Sequence, residues 1–488
     1  MKKTLFLNPP SFEGFDGGAG ARFPAKREVT SYWYPTWLAQ PAALVTGSRL
    51  VDAPPDHLTL EDVLKIAGDF ELIFIHTSTP SLQNDLRCAE ALKQKNPKAE
   101  IGFVGPHVTI SPAQPLEQSR AIDFVCRGEF DFTCLELADG KPYDQVNGLS
   151  YRMADGSVGH TPNRELLTDA DLLPSVLPVY HRDLTVENYA IGYLLHPYVS
   201  FYTGRGCPAR CTFCLWPQTI GGHRYRAKSP ETVIRELEQG KELFPKVREW
   251  FFDDDSFTVD GGRAIEIGKG MKKLDLKWSC NSRANVDYKT LKELGKNNLR
   301  LLVAGFESGN QQILDRVRKG VSLQRARRFM KDCHELGIKV HGTFVIGLPI
   351  ETRETIEETI RFAQEIDPYT IQISIAAPFP GTELYDQAVK NGWFDNNTLV
   401  TGSGVQMSTL CYPDLRIDEI EEAVERMYRR FYFRMKPIFR MFREMYAEKH
   451  MLARRLREGR EFLEYLHLRR GLAHDQNPKF HKGAPTPT

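Results

Sequence analysis

Residues 199–214 read Val-Ser-Phe-Tyr-Thr-Gly-Arg-Gly-Cys-Pro-Ala-Arg-Cys-Thr-Phe-Cys. The apolar residues that open this stretch predict a strand over Val199–Thr203, and the glycines that follow end it. Three cysteines then fall within eight residues, at Cys207, Cys211 and Cys214. Thiolates grouped on one loop are soft ligands that bind zinc or an iron–sulfur cluster. The stretch therefore predicts a strand followed by a metal-binding loop.

This strand is the first of six that alternate with helical segments rich in Glu, Lys, Arg and Leu. Such alternation predicts a parallel sheet with the functional loops at the carboxyl ends of its strands. Six units are too few for a closed eight-unit barrel, so we predict an α/β fold with an open (β/α)6 partial barrel. The predicted strands are Val199–Thr203, Glu249–Asp253, Leu276–Cys280, Arg300–Gly305, Lys339–Ile346 and Thr370–Ala376.

The residues before this series also alternate between short apolar runs and helical segments. They predict a Rossmann-like domain with a parallel sheet and helices on both faces. Four prolines between 161 and 197 predict a linker. The predicted organisation is an α/β domain over 1–160, a linker over 161–197, the partial barrel over 198–400, and a basic helical region with a disordered tail over 401–488.

Composition restricts the class of protein. The 488 residues are 41% hydrophobic and 26% charged with a formal net charge of +1, which is typical of a globular protein and implies no polyanionic partner. The sequence contains no apolar run of about 18 residues and no secretory signal, so we expect a cytoplasmic protein. Nine cysteines, an odd number, argue against a disulfide framework.

The cysteine spacing separates two kinds of metal site. Structural zinc prefers four protein ligands, yet no second cysteine or histidine pair follows, and His223 is the one nearby candidate. A [4Fe–4S] cluster held by three cysteines leaves one iron open to a substrate or cosubstrate. A zinc knuckle remains the alternative.

The Cys-x3-Cys-x-aromatic-Cys spacing, preceded by Gly-Arg-Gly, resembles the signature of radical S-adenosylmethionine (SAM) enzymes. The resemblance implies that Cys207, Cys211 and Cys214 hold a [4Fe–4S] cluster whose open iron binds SAM, and that Phe213 packs near the adenine. One electron, from a donor such as flavodoxin or ferredoxin, would then cleave SAM to methionine and a 5′-deoxyadenosyl radical.

Polar motifs at the ends of the later strands are similar to the SAM-binding elements of this family. By resemblance, Asp254 and Asp255 contact the SAM amino group, and Arg283 clamps the carboxylate. Glu307, within a Gly-x-Glu-Ser-Gly element, would accept hydrogen bonds from SAM, and Gly347 would allow the backbone to approach the adenine. Helix capping, a surface ion pair and a structural glutamate are the respective alternatives.

The first domain resembles the cobalamin-binding domain of the B12-dependent subclass. Residues 105–109 (Gly-Pro-His-Val-Thr) are similar to its Gly-Gly-x-His-x-Thr turn, and residues 127–131 (Arg-Gly-Glu-Phe-Asp) to its Arg-Gly-Glu-x-Glu turn. The resemblance implies cobalamin as a further cofactor, with binding roles for His107, Gly128 and Glu129. The Asp-x-His-x-x-Gly motif is absent, so cobalamin would bind without a protein histidine on cobalt. A domain that only helps to enclose substrate is the alternative.

Two further segments, residues 8–16 and 34–41, resemble the hopanoid biosynthesis associated radical SAM proteins of the HpnJ type. That subgroup implies a lipid-linked hopanoid polyol as substrate and a radical rearrangement of its sugar-derived head group to the bacteriohopanetetrol cyclitol ether. Two other functions stay open. One is a cobalamin-dependent radical SAM methyltransferase, and the other is a non-catalytic iron–sulfur or zinc protein that binds lipid or RNA.

The carboxyl-terminal region is strongly basic, with 14 Lys or Arg against 5 Glu between residues 426 and 470. Residues 427–443 interleave aromatic and cationic side chains, a pattern that suits an anionic membrane surface. We therefore predict peripheral contact with the inner membrane. A helix pair that packs its aromatic residues on the barrel is the alternative, and nucleic acid is the least favoured partner.

Overall fold

The computed structural model describes residues 1–12, 25–396, 399–401, 404–447 and 452–475. Its strands are β1 (Thr4–Asn8), β2 (Arg49–Asp52), β3 (Leu72–His76), β4 (Glu100–Val104), β5 (Phe124–Cys126), β6 (Leu149–Arg152), β7 (Val158–His160), β8 (Tyr198–Phe201), β9 (Gly204–Arg205), β10 (Arg226–Ala227), β11 (Glu249–Phe252), β12 (Trp278–Arg283), β13 (Leu299–Glu307), β14 (Lys339–Ile346) and β15 (Thr370–Ile375). The tail predicted to be disordered lies largely in 476–488, outside the described residues.

The helices are α1 (Thr36–Leu44), α2 (Leu60–Ala67), α3 (Leu82–Lys95), α4 (Pro106–Ile110), α5 (Ala113–Gln118), α6 (Asp131–Ala138), α7 (Leu177–Asp183), α8 (Leu215–Thr219), α9 (Pro230–Leu243), α10 (Gly261–Lys273), α11 (Tyr288–Lys296), α12 (Gln311–Arg316), α13 (Leu323–Glu335), α14 (Arg353–Ile366), α15 (Glu383–Asn391), α16 (Ile417–Tyr432), α17 (Met435–Ala447) and α18 (Leu452–Asp475). Sequence reasoning predicted neither α1 nor β2. Prolines 35 and 41 obscure the helix, and β2 has only four residues.

The first sheet has seven strands in the order β2-β1-β3-β4-β5-β6-β7. The pairs from β2 to β5 are parallel, and β6 and β7 add an antiparallel hairpin. Side chains alternate between two hydrophobic clusters, since Leu5 and Leu7 belong to one and Phe6 to the other. Both faces are therefore buried, as is typical of a parallel sheet.

The second sheet has six parallel strands in the order β8-β11-β12-β13-β14-β15. Its two outer strands, β8 and β15, do not pair with each other, so the sheet curves into a half-barrel that stays open on one side. The open partial barrel predicted from the sequence is confirmed. The short strands β9 and β10 pair on either side of α8 and of residues 206–214, which carry the three cysteines and are called the cysteine loop below.

One hydrophobic cluster extends across both sheets. It contains Phe6 of the first sheet and Trp250 of the second. At the boundary, the ring of Trp37 in α1 stacks on Trp216 in α8, with centroids 5.3 Å apart and planes 4° from parallel. Such stacked, buried aromatic pairs join the two halves through apolar surface.

The carboxyl-terminal helix α16 covers the open edge of β15. Tyr428 and Tyr432 lie one helical turn apart, and their hydroxyls accept hydrogen bonds from the backbone N–H groups of Ile373 and Ile371, each over 2.9 Å. Unpaired strand edges attract other strands, and side-chain partners of this kind block that. For α16, the structure therefore favours aromatic packing on the barrel.

Helix α17 differs from α16, because its apolar side chains are exposed. Met435, Phe439 and Phe442 are 80%, 73% and 63% exposed and follow helical i, i+4, i+7 spacing. Lys436 and Arg443 are exposed on the same helix. Within the described residues, no helix is both long and apolar enough to cross a bilayer.

Candidate functional site

A cavity of about 300 Å3 lies at the carboxyl ends of the half-barrel strands. All three predicted cluster ligands, Cys207, Cys211 and Cys214, line it, as does Phe213. The predicted SAM contacts Asp255, Arg283 and Glu307 line it too. The remaining lining residues are Arg27, Trp33, Tyr193, Ala209, Pro217, Asp253, Asn281, Ser282, Val303, Gly305, Lys319, Thr343, Phe344, Val345, Gln372 and Ser374.

Backbone contacts fix the cysteine loop. Gly206 has φ +85°, and a Cβ there would lie 2.3 Å from the carbonyl oxygen of Arg224, so only glycine fits. The side-chain amide of Gln218 donates to the carbonyl of Cys214 over 2.7 Å, and the N–H of Cys207 donates to Gly222 over 3.2 Å. Backbone hydrogen bonds and a glycine-only turn therefore hold the loop beside the cavity that its cysteines line.

The arrangement of the three cysteines fits a [4Fe–4S] cluster better than a single metal ion. Among the described residues, no group of three or more His, Cys, Asp or Glu side chains lies close enough to hold one metal ion. The three cysteines nevertheless share one cavity, as expected for ligands that each bind a different iron. His223, the candidate for a fourth zinc ligand, places Nδ1 3.0 Å from the carbonyl oxygen of Ala209 and does not line the cavity.

A buried ion pair lies on the wall of the same cavity. Lys319 places Nζ 2.6 Å from Oε1 of Glu307, and both side chains are buried. The carbonyl of the same lysine accepts a hydrogen bond from Arg283. Glu307 has φ +63°, an unusual backbone conformation that turns its side chain to this position. Lys319 therefore contacts two residues that the sequence assigned to SAM binding.

The three consecutive aspartates after β11 separate into two environments. Asp253 and Asp255 line the cavity, and Asn281 donates to Asp253 over 2.8 Å. Asp254 does not line it. Its carboxylate accepts from Thr203 and from the hydroxyl of Tyr225, and burial raises its pKa. The structure therefore places Asp254 in the packing behind the site, away from the position predicted for a SAM contact.

Gly347 also lies behind the cavity wall. It has φ +86°, its N–H donates to Glu351 over 2.5 Å, and its carbonyl accepts from Tyr412. Thr343, Phe344 and Val345, in the strand that precedes it, line the cavity. The structure thus gives Gly347 a turn-forming role beside the site.

In the first domain, two of the predicted cofactor residues meet at the carboxyl edge of the sheet. His107, in α4, bonds to Thr79 over 3.1 Å and to Gln114 over 2.9 Å, and burial lowers its pKa. The N–H of Gly128 donates to Thr109 of the same helix over 3.1 Å. Ligands of open α/β sheets bind at this edge.

Several features of this edge fit a polar cofactor. Gly105 has φ +126°, and a Cβ added there would lie 2.2 Å from the carbonyl oxygen of Thr77. Only glycine therefore fits at this position. Two buried polar atoms, Nε2 of His76 and Oγ1 of Thr77, have no hydrogen-bond partner within the described ranges. Burial lowers the pKa of His76 to about 4. Cobalamin bound here would be held by hydroxyls and backbone.

The third predicted cofactor residue, Glu129, has a different environment. Both of its carboxylate oxygens accept from Arg226, each over 2.8 Å, and its Oε2 also accepts from the N–H of Leu167. Arg226 belongs to the β9–β10 hairpin around the cysteine loop. The structure therefore brings Glu129 to the boundary between the domains, not to the edge where His107 lies.

Sequence reasoning missed several lining residues, chiefly Lys319, Asn281 and Trp33. Asn281 could have been found, since it lies near the carboxyl end of β12, where the functional side chains of such a barrel are expected. Lys319 follows α12 and has no strand-end signal. Trp33 comes from the first domain, in the segment that precedes α1.

Comparison with known proteins agrees with this geometry. Residues 201–363 match the radical SAM superfamily, and residues 24–138 match the B12 binding domain. The chain is 31% identical over 462 residues to the uncharacterized methyltransferase PH0819 of Pyrococcus horikoshii, covering 90% of this chain and 94% of that protein. It is 30% identical over 314 residues to the hopanoid C-3 methylase of Methylococcus capsulatus, covering 61% and 56%.

The fold is also similar to that of OxsB, a cobalamin-dependent SAM radical enzyme solved with aqua-cobalamin and SAM. The TM-score is 0.69 at 16% identity, over 97% of this chain and 72% of that one. The predicted [4Fe–4S] cluster and SAM follow from the family, and the B12-binding match supports cobalamin. This chain belongs to the radical SAM superfamily, as a member that carries a B12-binding domain.

Proposed function

We propose that this chain is a cobalamin-dependent radical SAM methyltransferase. The observation that carries the proposal is the packing of α4, which bears His107, against α8, which directly follows Cys214. This contact brings the edge suited to cobalamin next to the cysteine loop. Group transfer between two cofactors requires such proximity. The similarity to two proteins named as methyltransferase or methylase supports the same reaction.

The cofactors would supply the chemistry: the reduced cluster an electron for SAM cleavage, and cobalamin a methyl group. The chain's own residues would bind the cofactors and orient them. In this proposal Cys207, Cys211 and Cys214 hold the cluster, Phe213 contacts the adenine, and residues such as Asp255, Arg283 and Glu307 bind the polar groups of SAM. A cavity whose wall includes Trp33 and Phe344 would exclude water from a reactive radical.

A lipid of the hopanoid class is our candidate substrate. Its support is the similarity to the hopanoid C-3 methylase over part of the chain. The head-group rearrangement implied by the sequence resemblance stays a prediction, because PH0819 and the hopanoid C-3 methylase are both named for methyl transfer. The two reactions differ in their SAM-derived products, so one experiment separates them.

The experiment is anaerobic reconstitution with cluster, SAM and cobalamin, followed by product analysis with a hopanoid acceptor. Methyl transfer consumes two SAM per turnover and gives S-adenosylhomocysteine and 5′-deoxyadenosine together with a methylated product. Rearrangement gives no S-adenosylhomocysteine. The Cys211→Ala variant should release no 5′-deoxyadenosine, whereas Cys333→Ala, in α13 and outside the cavity lining, should release it as the wild type does. Deoxyadenosine without S-adenosylhomocysteine would contradict methyl transfer.

Helix α17 supports access to a lipid substrate through a membrane surface. Its exposed Met435, Phe439 and Phe442 would enter the interfacial region of a bilayer, while the exposed Arg443 would contact anionic headgroups. The protein should co-sediment with vesicles that contain phosphatidylglycerol. A smaller fraction of it should co-sediment with vesicles of phosphatidylcholine alone. A Phe439→Ser/Phe442→Ser variant should lose this binding. Equal sedimentation of the variant would exclude α17 as the contact.

A further inference from the structure

Both ends of the cysteine loop contact the first domain. Arg205, two residues before the first cysteine, donates to both carboxylate oxygens of Asp131 over 2.6 and 3.0 Å. Its guanidinium also lies 4.6 Å from the ring centroid of Trp37. Trp37 in turn stacks on Trp216, two residues after the last cysteine. The loop is thus flanked on both sides by side chains of the first domain.

A second ion pair reaches the backbone that holds the first cysteine. Arg226, which pairs with Glu129, also donates to the carbonyl of Gly221 over 2.6 Å. The next carbonyl, that of Gly222, accepts from the N–H of Cys207 over 3.2 Å. The side chain of Arg226, the Gly221–Gly222 segment and two hydrogen bonds therefore connect Glu129 with the predicted cluster ligand Cys207.

The chemistry of these pairs suits positioning more than stabilisation. Arg205, Arg226, Glu129 and Asp131 are all buried. Removing such charges from water costs about as much as their attraction returns, so a buried ion pair adds little to stability by itself. The paired N–H donors of a guanidinium fix a carboxylate in one orientation, and this directional constraint is what the pairs add.

The turn that carries the two carboxylates also contacts the edge suited to cobalamin. Residues 127–131 include Glu129 and Asp131, and the N–H of Gly128 in the same turn donates to Thr109 in the helix of His107. One short segment therefore touches the cysteine loop on one side and the edge suited to cobalamin on the other.

We infer that Glu129 and Asp131 are positioning residues that hold the cysteine loop in register with the B12-binding domain. They act through Arg226 and Arg205 and do not contact a cofactor. This inference rests on family membership and is independent of methyl transfer. It replaces the sequence expectation that Glu129 binds cobalamin.

The test uses the reconstituted holoenzyme of Glu129→Gln and of Asp131→Asn, which keep the size of each side chain and remove its charge. Glu136→Gln is the matched control, since Glu136 lies in α6 and pairs with Arg164 over 2.6 Å, away from the loop. Three quantities are measured: iron release to a chelator, hydrogen–deuterium exchange along the chain, and cobalamin affinity by absorbance.

We expect iron release to become about tenfold faster or more in both variants, as for residues that orient metal ligands. Exchange should rise within residues 205–222, and cobalamin affinity and the control should match the wild type. Iron release equal to that of the control would overturn the inference, as would a general rise of exchange across the first domain. Weaker cobalamin binding by Glu129→Gln with unchanged iron release would indicate that Glu129 binds the cofactor.

A second variant, which keeps the charges of the Arg226–Glu129 pair, is tested in case Glu129→Gln fails to fold. Arg226→Lys preserves the positive charge beside Glu129 but loses the paired donation and the contact with Gly221. If Glu129→Gln cannot be purified, faster iron release in Arg226→Lys supports the inference, and a wild-type rate overturns it.

Discussion

The ammonium nitrogen of Lys319 lies 2.6 Å from a carboxylate oxygen of Glu307 on the wall of the cavity that contains the three cysteines. Lys319→Met should leave Glu307 buried without its cation, which costs about 3 kcal/mol in unfolding free energy. SAM affinity should fall as well, because Glu307 loses the side-chain ammonium that holds its carboxylate on the cavity wall. Urea unfolding and equilibrium SAM binding measure the two effects.

The Lys319→Met/Glu307→Gln double variant is the control for this pair. Removing both charges should restore most of the lost stability while SAM affinity stays low. A Lys319→Met protein with wild-type stability and affinity would show that the pair has neither role.

Gly206→Ala should reduce the iron bound per chain after reconstitution. The added Cβ would meet backbone oxygens 2.3 and 2.7 Å away, which cannot move without displacing the segment that holds Cys207. Gly140→Ala is the matched control, because Gly140 has a similar φ of +83° with no atom within 4 Å of the Cβ position. Both variants carry the backbone strain of about 1 kcal/mol, so a difference in iron content isolates the clash. Equal iron content in the two variants would show that the clash at Gly206 does not affect cluster binding.

Glu351 should make stability depend on pH. Burial raises the pKa of this carboxyl from 4.5 to about 8. Between these values it is neutral in the folded chain and charged in the unfolded chain, so stability falls by up to about 1.4 kcal/mol per unit as pH rises. Glu351→Gln should remove this part of the slope, as measured by urea unfolding at pH 6 and pH 8. The exposed neighbour Glu354→Gln should leave the slope nearly unchanged, and equal slopes in all three proteins would refute the assignment.

Tyr428→Phe and Tyr432→Phe should each lower the unfolding free energy by about 1–2 kcal/mol, because each leaves a buried backbone N–H of β15 without its acceptor. The double variant should also self-associate, since the strand edge becomes available. Apparent mass in solution checks this. Tyr465→Phe, whose hydroxyl accepts from Arg469, should stay at the wild-type mass. Association of that control to the same extent would argue against an edge effect.

Local signals explain what the sequence predicted well. The cysteine spacing and the order of the six barrel strands are visible in short windows, because each buried strand is an apolar run ended by glycine or a polar motif. The aspartates show the limit of that approach. Asp253 and Asp255 line the cavity and Asp254 does not, although the three residues are consecutive and identical in type. Residue type alone therefore could not select among them.

Contacts between distant residues could not be predicted. At the Lys319–Glu307 pair, Glu307 and Arg318 both adopt positive φ, at 63° and 53°, which their residue types do not favour. Glu129 and Arg226 are separated by 97 positions. A single sequence contains no signal that pairs them.

The hydrophobic cluster that extends from Phe6 to Trp250 has a practical consequence for dissecting the molecule. Cutting the chain between the two sheets, within residues 161–197, would expose a large apolar face on each fragment, so neither half should express as a well-behaved protein. Heating should instead reveal a single cooperative transition for the intact chain. A ligand that binds either half would then raise the melting temperature of the whole by mass action.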